Sequence, residues 1–229
     1  MVEASDYSAS EVKRVNQQLR ERHYEFRSNC NDGDGDASAC HSWGEWVAVV
    51  DKNYKDAATI YELNCSKSGY PASCFNLGRL LLAGKGLEQS DPDAFDLFGK
   101  ACAGGHAAGC HHVGFMLSQG IGCEKNLIEA LAAYKEGCKN DDANSCNRVA
   151  TMYLSPASNS PIERNIQQAK TYLEKACDAN FAPACHNLAV MYKKGDVGIS
   201  KDQSKYEEYR AKTEKLIEQA GGISSIKST

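Results

Sequence analysis

Cysteine is the residue through which this chain could most readily do chemistry. Its 229 residues include eleven cysteines. Ten form five close pairs, Cys30/Cys40, Cys65/Cys74, Cys102/Cys110, Cys138/Cys146 and Cys177/Cys185, and Cys123 is left over. Thiols in this pattern could pair as structural disulfides, ligate a metal or carry out thiol–disulfide exchange. No Cys-x-x-Cys motif occurs, and seven to nine intervening residues suit structural bridges better than the close, strained pairs of exchange enzymes. Cys102-x3-His106-x3-Cys110-His111 has the composition of a zinc site, but the other pairs lack the first histidine, so a metal would serve one junction of a uniform array. Cysteines can also be small buried hydrophobes. Because both partners are present at all five places, disulfides are expected as Cys30–Cys40, Cys65–Cys74, Cys102–Cys110, Cys138–Cys146 and Cys177–Cys185. Cys123, in Gly120-Ile-Gly-Cys-Glu124, is expected as a thiol outside the bridges, with nothing beside it to stabilise a thiolate.

Other candidate residues are sparser. His41, His111 and His186 each follow the second cysteine of a pair and read as partly exposed polar residues. Ser10-Glu-Val-Lys13 and Ser224-Ser-Ile-Lys227 match the Ser-x-x-Lys of penicillin-recognising hydrolases, but the supporting Ser-Asp-Asn and Lys-Thr-Gly elements are missing. No catalytic residue is assigned. Asn64-Cys-Ser66 is a glycosylation sequon, poorly reachable if Cys65 is bridged at a buried helix end.

The elements that position these residues follow from the spacing of the pairs. Successive pairs recur every 34 to 39 residues, the period of a helix-pair solenoid. Three residues after the second cysteine come Trp43, Leu77, Val113, Val149 and Leu188, then Gly44, Gly78, Gly114, Ala150 and Ala189. Six residues after it come Trp46, Leu80, Met116, Met152 and Met191. Large and small side chains at these offsets trace one face of a helix, here called helix A, and the small position lets a neighbour come close. Helix A is expected to stop at glycines such as Gly84, Gly120 and Gly195.

The second helix, B, is read backwards from the first cysteine of the next pair. Ala57, Ala94, Ala130 and Ala169 lie eight residues earlier, and Tyr61, Phe98, Tyr134 and Leu173 four earlier, all on the cysteine's stripe. Asp91-Pro92 is taken as a start, with the aspartate as cap. The fold class is all-α: an α/α superhelical solenoid with bridges at its repeat junctions. Residues 1–29 are expected as an N-terminal helix packed on the array. Residues 30–220 hold five helix pairs, at about 40–65, 74–102, 110–138, 146–177 and 185–220, and 221–229 form a frayed tail. The last B helix, rich in Lys and Glu and without a closing cysteine, suits a terminal cap.

Composition narrows the function. A formal net charge of -4 speaks against nucleic acid, which needs a concentrated basic surface. The longest apolar run, 46–50, is far short of the roughly 20 residues a membrane span requires. Residues 1–10 are polar, with Glu3 and Asp6, unlike a secretory signal, and Glu11, Glu21 and Glu25 spoil the match of 11–27 to a mitochondrial presequence.

Ala176-Cys-Asp and Ala184-Cys-His-Asn-Leu-Ala-Val-Met-Tyr-Lys-Lys-Gly195 resemble the Sel-one-like repeat in its cysteine-bridged form, over about residues 30–215. Two branches use that form: secreted bacterial proteins, some described as β-lactamase-like, and eukaryotic assembly factors of the mitochondrial intermembrane space. The resemblance to the second branch implies a non-enzymatic, monomeric scaffold in that space that supports assembly of respiratory complex IV, cytochrome c oxidase. Its implied partners are complex IV subunits, other assembly factors and the oxidative import machinery. The alternatives are a β-lactamase-like or thiol–disulfide-active enzyme, or a haem or copper carrier. The link to complex IV alone suggests a haem or metal ligand at His111 or His112; otherwise no cofactor is expected.

Overall fold

The structure, a computed structural model, describes residues 8–154 and 160–221. The tail expected at 221–229 lies outside the described residues except for Gly221, as does Ser224-Ser-Ile-Lys227. Among the described residues the regular elements are helices α1 (Ala9–Cys30), α2 (Ala37–Val49), α3 (Tyr54–Ser68), α4 (Pro71–Ala83), α5 (Asp91–Ala103), α6 (Ala107–Gln119), α7 (Leu127–Lys139), α8 (Ala143–Leu154), α9 (Ile166–Asp178), α10 (Ala182–Lys194) and α11 (Gln203–Gln219), with a short 3-10 turn at Asn31–Gly33. The even-numbered helices are the A helices, and the odd-numbered ones from α3 onward are the B helices.

Every B helix starts on a side-chain cap: Asn53, Ser90, Asn126, Asn165 and Asp202 each accept a hydrogen bond from a backbone N–H in the first turn. At α5 the cap is Ser90. Asp91 and Pro92 occupy the first two helical positions, where acid and proline are favoured for the dipole and the missing N–H. The A helices begin by varied means. Asp36 caps α2, Pro71 and Pro183 open α4 and α10 without a side-chain bond, and the Asp142 carboxylate accepts from Ser145 N–H at 2.7 Å before α8. Gly84 and Gly120 follow α4 and α6 at φ of +61° and +76°, the left-handed region that suits glycine as a stop.

The connections are unequal. B leads to A through two or three residues, 69–70, 104–106, 140–142 and 179–181, whereas the described A-to-B connections, 50–53, 84–90, 120–126 and 195–202, run from four to eight residues. The B-to-A links are this short because the second cysteine does not open its helix. Cys40, Cys74, Cys110, Cys146 and Cys185 each sit one turn inside, after three earlier helical residues.

The chain divides into two compact units, residues 1–109 with 121–123, and residues 110–120 with 124–229. In the first, Val47, Ala57, Ala58, Ile60, Tyr61, Leu77 and Leu80 form a core, with Trp43, Tyr54 and Leu97 packed against it. In the second, Val149, Leu173, Leu188 and the helix-B alanines Ala130 and Ala169 are fully buried. No helix among the described residues is long and apolar enough to cross a membrane.

Candidate functional site

The structure brings together Cys30 with Cys40, Cys65 with Cys74, Cys138 with Cys146 and Cys177 with Cys185. Their Cα–Cα distances are 4.5, 4.9, 4.6 and 4.8 Å, within the span a disulfide bridges. Cys102 and Cys110 are disulfide-bonded as well. All of these except Cys102 are buried; Cys123, outside the bridges, is half-buried.

Above each junction, three positions of one repeat meet. The ring four residues before a B-helix cysteine lies over the small A-helix residue. A Cβ built on Gly44 would stand 2.6 Å from the Tyr61 ring, on Gly78 2.9 Å from Phe98, and on Gly114 2.8 Å from Tyr134. The residue after the A-helix cysteine closes the side of the same ring: His41 lies 5.8 Å from Tyr61, Phe75 5.6 Å from Phe98 and His111 5.5 Å from Tyr134. Phenylalanine and histidine serve this position equally, so the ring's shape is what the packing uses. Where the small residue is Ala150, the B-helix residue is the smaller Leu173, and both are completely buried.

The two inter-ring histidines also reach the next A helix. His41 Nδ1 is 3.1 Å from Ser73 Oγ and His111 Nδ1 is 3.3 Å from Ser145 Oγ, with both serines fully buried. Each serine directly precedes the next A-helix cysteine, a column the sequence reading did not align. His186 stands on the last A helix and is exposed, so the three histidines are not equivalent. Asn187, beside it, instead donates to Asn147 Oδ1 at 3.2 Å.

Asn64, the sequon asparagine, is 2% exposed. Its amide donates to Ala37 O at 2.8 Å and Ser73 Oγ at 2.7 Å, and its Oδ1 accepts from Ser68 at 2.7 Å. The sequon is therefore closed in the folded chain. Ser73 Oγ thus joins Asn64 to His41 Nδ1, and the other ring nitrogen, Nε2, lies 3.6 Å from Glu45. His106 Nδ1 accepts from Gly109 N–H at 3.2 Å while its ring stacks on Phe75 at 4.4 Å. In the apparent zinc set His106 thus caps a helix, and both cysteines are disulfide-bonded. Among the described residues no group of three or more His, Cys, Asp or Glu is placed to hold a metal ion.

Burial pushes the His41 imidazole below its ordinary value, and the attraction of Glu45 offsets this only in part. The folded state thus prefers the neutral ring. As pH falls below about 6.5 the unfolded chain takes up a proton that the folded one refuses, so stability declines until the folded pKa is passed. Urea titrations between neutrality and pH about 5.5 should show this decline in the native chain and a smaller one in His41→Gln. An equal slope in both would assign it elsewhere. Asp142 responds in a separate window. Burial raises its carboxyl, but hydrogen bonds from His111 and from the Ser145 hydroxyl and N–H outweigh that and hold it low. Its contribution is present above the ordinary carboxylate range and is lost as pH falls through the lowered folded value.

The family model described as Sel1 repeat matches residues 71–106, 107–142, 143–181 and 182–205, more than half of the chain. The chain belongs to the Sel1 repeat family. Each matched segment opens at or near the start of an A helix, and the α2–α3 pair before them has the same build. Among curated relatives, cytochrome c oxidase assembly factor 7 of Xenopus tropicalis is 32% identical over 166 residues, 72% of this chain and 57% of that protein. The cytochrome c oxidase assembly factor 7 homolog of Drosophila melanogaster is 25% identical over 239 residues, 89% of each chain. This chain thus spans a little over half the length of the vertebrate relatives it matches. The Sel1 repeat protein of Oxalobacter formigenes, a solved structure, superposes with a TM-score of 0.72 at 22% identity, over 79% of this chain and 74% of that one. That likeness carries the fold alone.

With the rings and cysteines turned inward, each Sel1 repeat leaves outward the A-helix residues two, five and nine places after the cysteine. In the second unit these include His112, Phe115, Arg148, Asn187, Val190 and Lys194.

Proposed function

We propose that this chain is a non-enzymatic scaffold that supports assembly of mitochondrial complex IV. We place its work in the intermembrane space, with its junction cysteines oxidised and its partners among complex IV subunits or other assembly factors. The reading is carried by the likeness to proteins named cytochrome c oxidase assembly factor 7, above all the fly homolog, which is matched across 89% of both chains. The architecture supports it: its paired cysteines serve helix junctions, His41, His106 and His111 serve packing and a helix cap, and its repeats leave A-helix side chains outward. Ten cysteines arranged to pair also favour a compartment that oxidises thiols, since the cytosol keeps them reduced. His111 Nδ1 lies 3.3 Å from Ser145 Oγ and 3.4 Å from the Asp142 carboxylate, and the proposed scaffold role calls on no cofactor.

Depleting the endogenous protein is expected to lower assembled complex IV on native gels before the other respiratory complexes. Fractionation should find it inside mitochondria, protected until the outer membrane is opened, with its paired thiols blocked to alkylation. Unchanged complex IV after full depletion would remove the assembly role and leave the fold untouched. A cytosolic protein with reduced thiols would remove the compartment.

A further inference from the structure

We propose that the outward A-helix face of the second unit, on α6, α8 and α10, docks an extended acidic segment of a partner protein that carries an apolar side chain among its carboxylates. This rests on the scaffold reading and gives the partner its chemistry. Every carboxylate carried by the helices of this unit lies on α7, α9 or α11, from Glu129 to Glu218; α6, α8 and α10 carry none. That partition leaves these three helices, like α9 and α11, without an acid in the first turn, where the helix dipole would favour one. It runs against composition, in a chain of net charge -4.

What the face does carry is complementary to an acidic ligand. Residues two, five and nine after each junction cysteine fall within about 60° of one another on a helix of 3.6 residues per turn, so they form columns. Arg148 and Lys194 stand in these columns and are exposed. Phe115, at the matching place on α6, is 38% exposed, and Val190 repeats the apolar element on α10. Two loop carboxylates at the ends of the face are already engaged. Asp142 accepts from Ser145 and faces His111, and Asp196 pairs with Arg164 Nη2. Neither is placed to cancel the attraction. Two exposed cations on different helices reward a segment that lies across the face, and such binding weakens with salt.

The test uses the whole chain, oxidised, and fluorescence anisotropy of two labelled peptides, one alternating glutamate with leucine and one alternating lysine with leucine. The acidic peptide is expected to bind and the basic one to bind at least tenfold more weakly. Arg148→Glu with Lys194→Glu should weaken the acidic peptide more than tenfold, and Lys139→Glu with Lys215→Glu, the same charge change on α7 and α11, should leave it within twofold. No binding of the acidic peptide, equal binding of both, or equal loss in the two double variants would each overturn the acidic docking face. Those outcomes leave the scaffold role to be judged by complex IV levels, so the two readings fail separately.

Discussion

Gly78→Ala destabilises the chain by about 1–2 kcal/mol, and adding Phe98→Leu recovers much of the loss. The new methyl would lie 2.9 Å from the buried Phe98 ring, and forcing an extra carbon into a packed interior costs on the order of 1–3 kcal/mol. Alanine's better helix propensity returns up to about 1 kcal/mol of that. Where the small column holds an alanine, Ala150, the ring column of this chain holds a leucine, Leu173, which is why the second change should relieve the first. Gly99→Ala is the matched comparison. Gly99 lies inside α5 with nothing within 4 Å of a Cβ, so the same substitution there should stabilise by about 0.5–1 kcal/mol. Urea unfolding of the four chains of the Gly78/Phe98 cycle, with Gly99→Ala alongside, decides the matter. Losses that add without coupling, or a Gly99→Ala that falls with Gly78→Ala, would show that the ring does not rest on the glycine.

Complete reduction is expected to unfold the protein at temperatures where the oxidised form keeps its helices. Each junction ring is short and worth on the order of 2–3 kcal/mol in the chain-entropy account. The four bridges whose geometry is given above would together supply about 10 kcal/mol, comparable with the whole net stability of an ordinary domain. Circular dichroism melts with and without dithiothreitol measure this directly. One junction at a time gives the finer reading. Cys138→Ala with Cys146→Ala removes a single ring without leaving a thiol to mispair, and should cost about 2–3 kcal/mol. In a repeat array each unit leans on its neighbours, so the faster hydrogen exchange should centre on α7 and α8. A double variant that melts with the native chain would mean the ring contributes nothing.

The helices, their period and the junctions were legible in the sequence because they are local. A cysteine every 34 to 39 residues with large, small and large side chains after it describes one helix face, and one helix face is what periodicity reports. The glycine column and the aromatic column were each legible too. That Gly78 receives Phe98 was not, because the two belong to different helices and neither pattern says which ring meets which gap. The roles of His41 and His111 were missed for a similar reason. Their serine partners Ser73 and Ser145 lie more than thirty residues on, and only the column before the cysteine would have shown them. The start of α5 was misplaced by one residue because Asp91 and Ser90 are both good caps, and the hydrogen bond from Asp93 N–H to Ser90 Oγ decides between them.

The unequal connections have a bearing on how such a chain can change. Where B passes to A, the link is two or three residues and the bridged cysteines stay eight to ten positions apart, which leaves little room for added length. Where A passes to B, connections of four residues at 50–53 and eight at 195–202 already coexist in one molecule, and each doubling of a flexible span costs only about 0.6 kcal/mol. New residues can therefore enter this protein more readily at one kind of turn than at the other. Variation in length among descendants of such a chain would collect on the side of the repeat away from its sulfurs, and a tag or a foreign binding loop grafted there would leave every junction as it is.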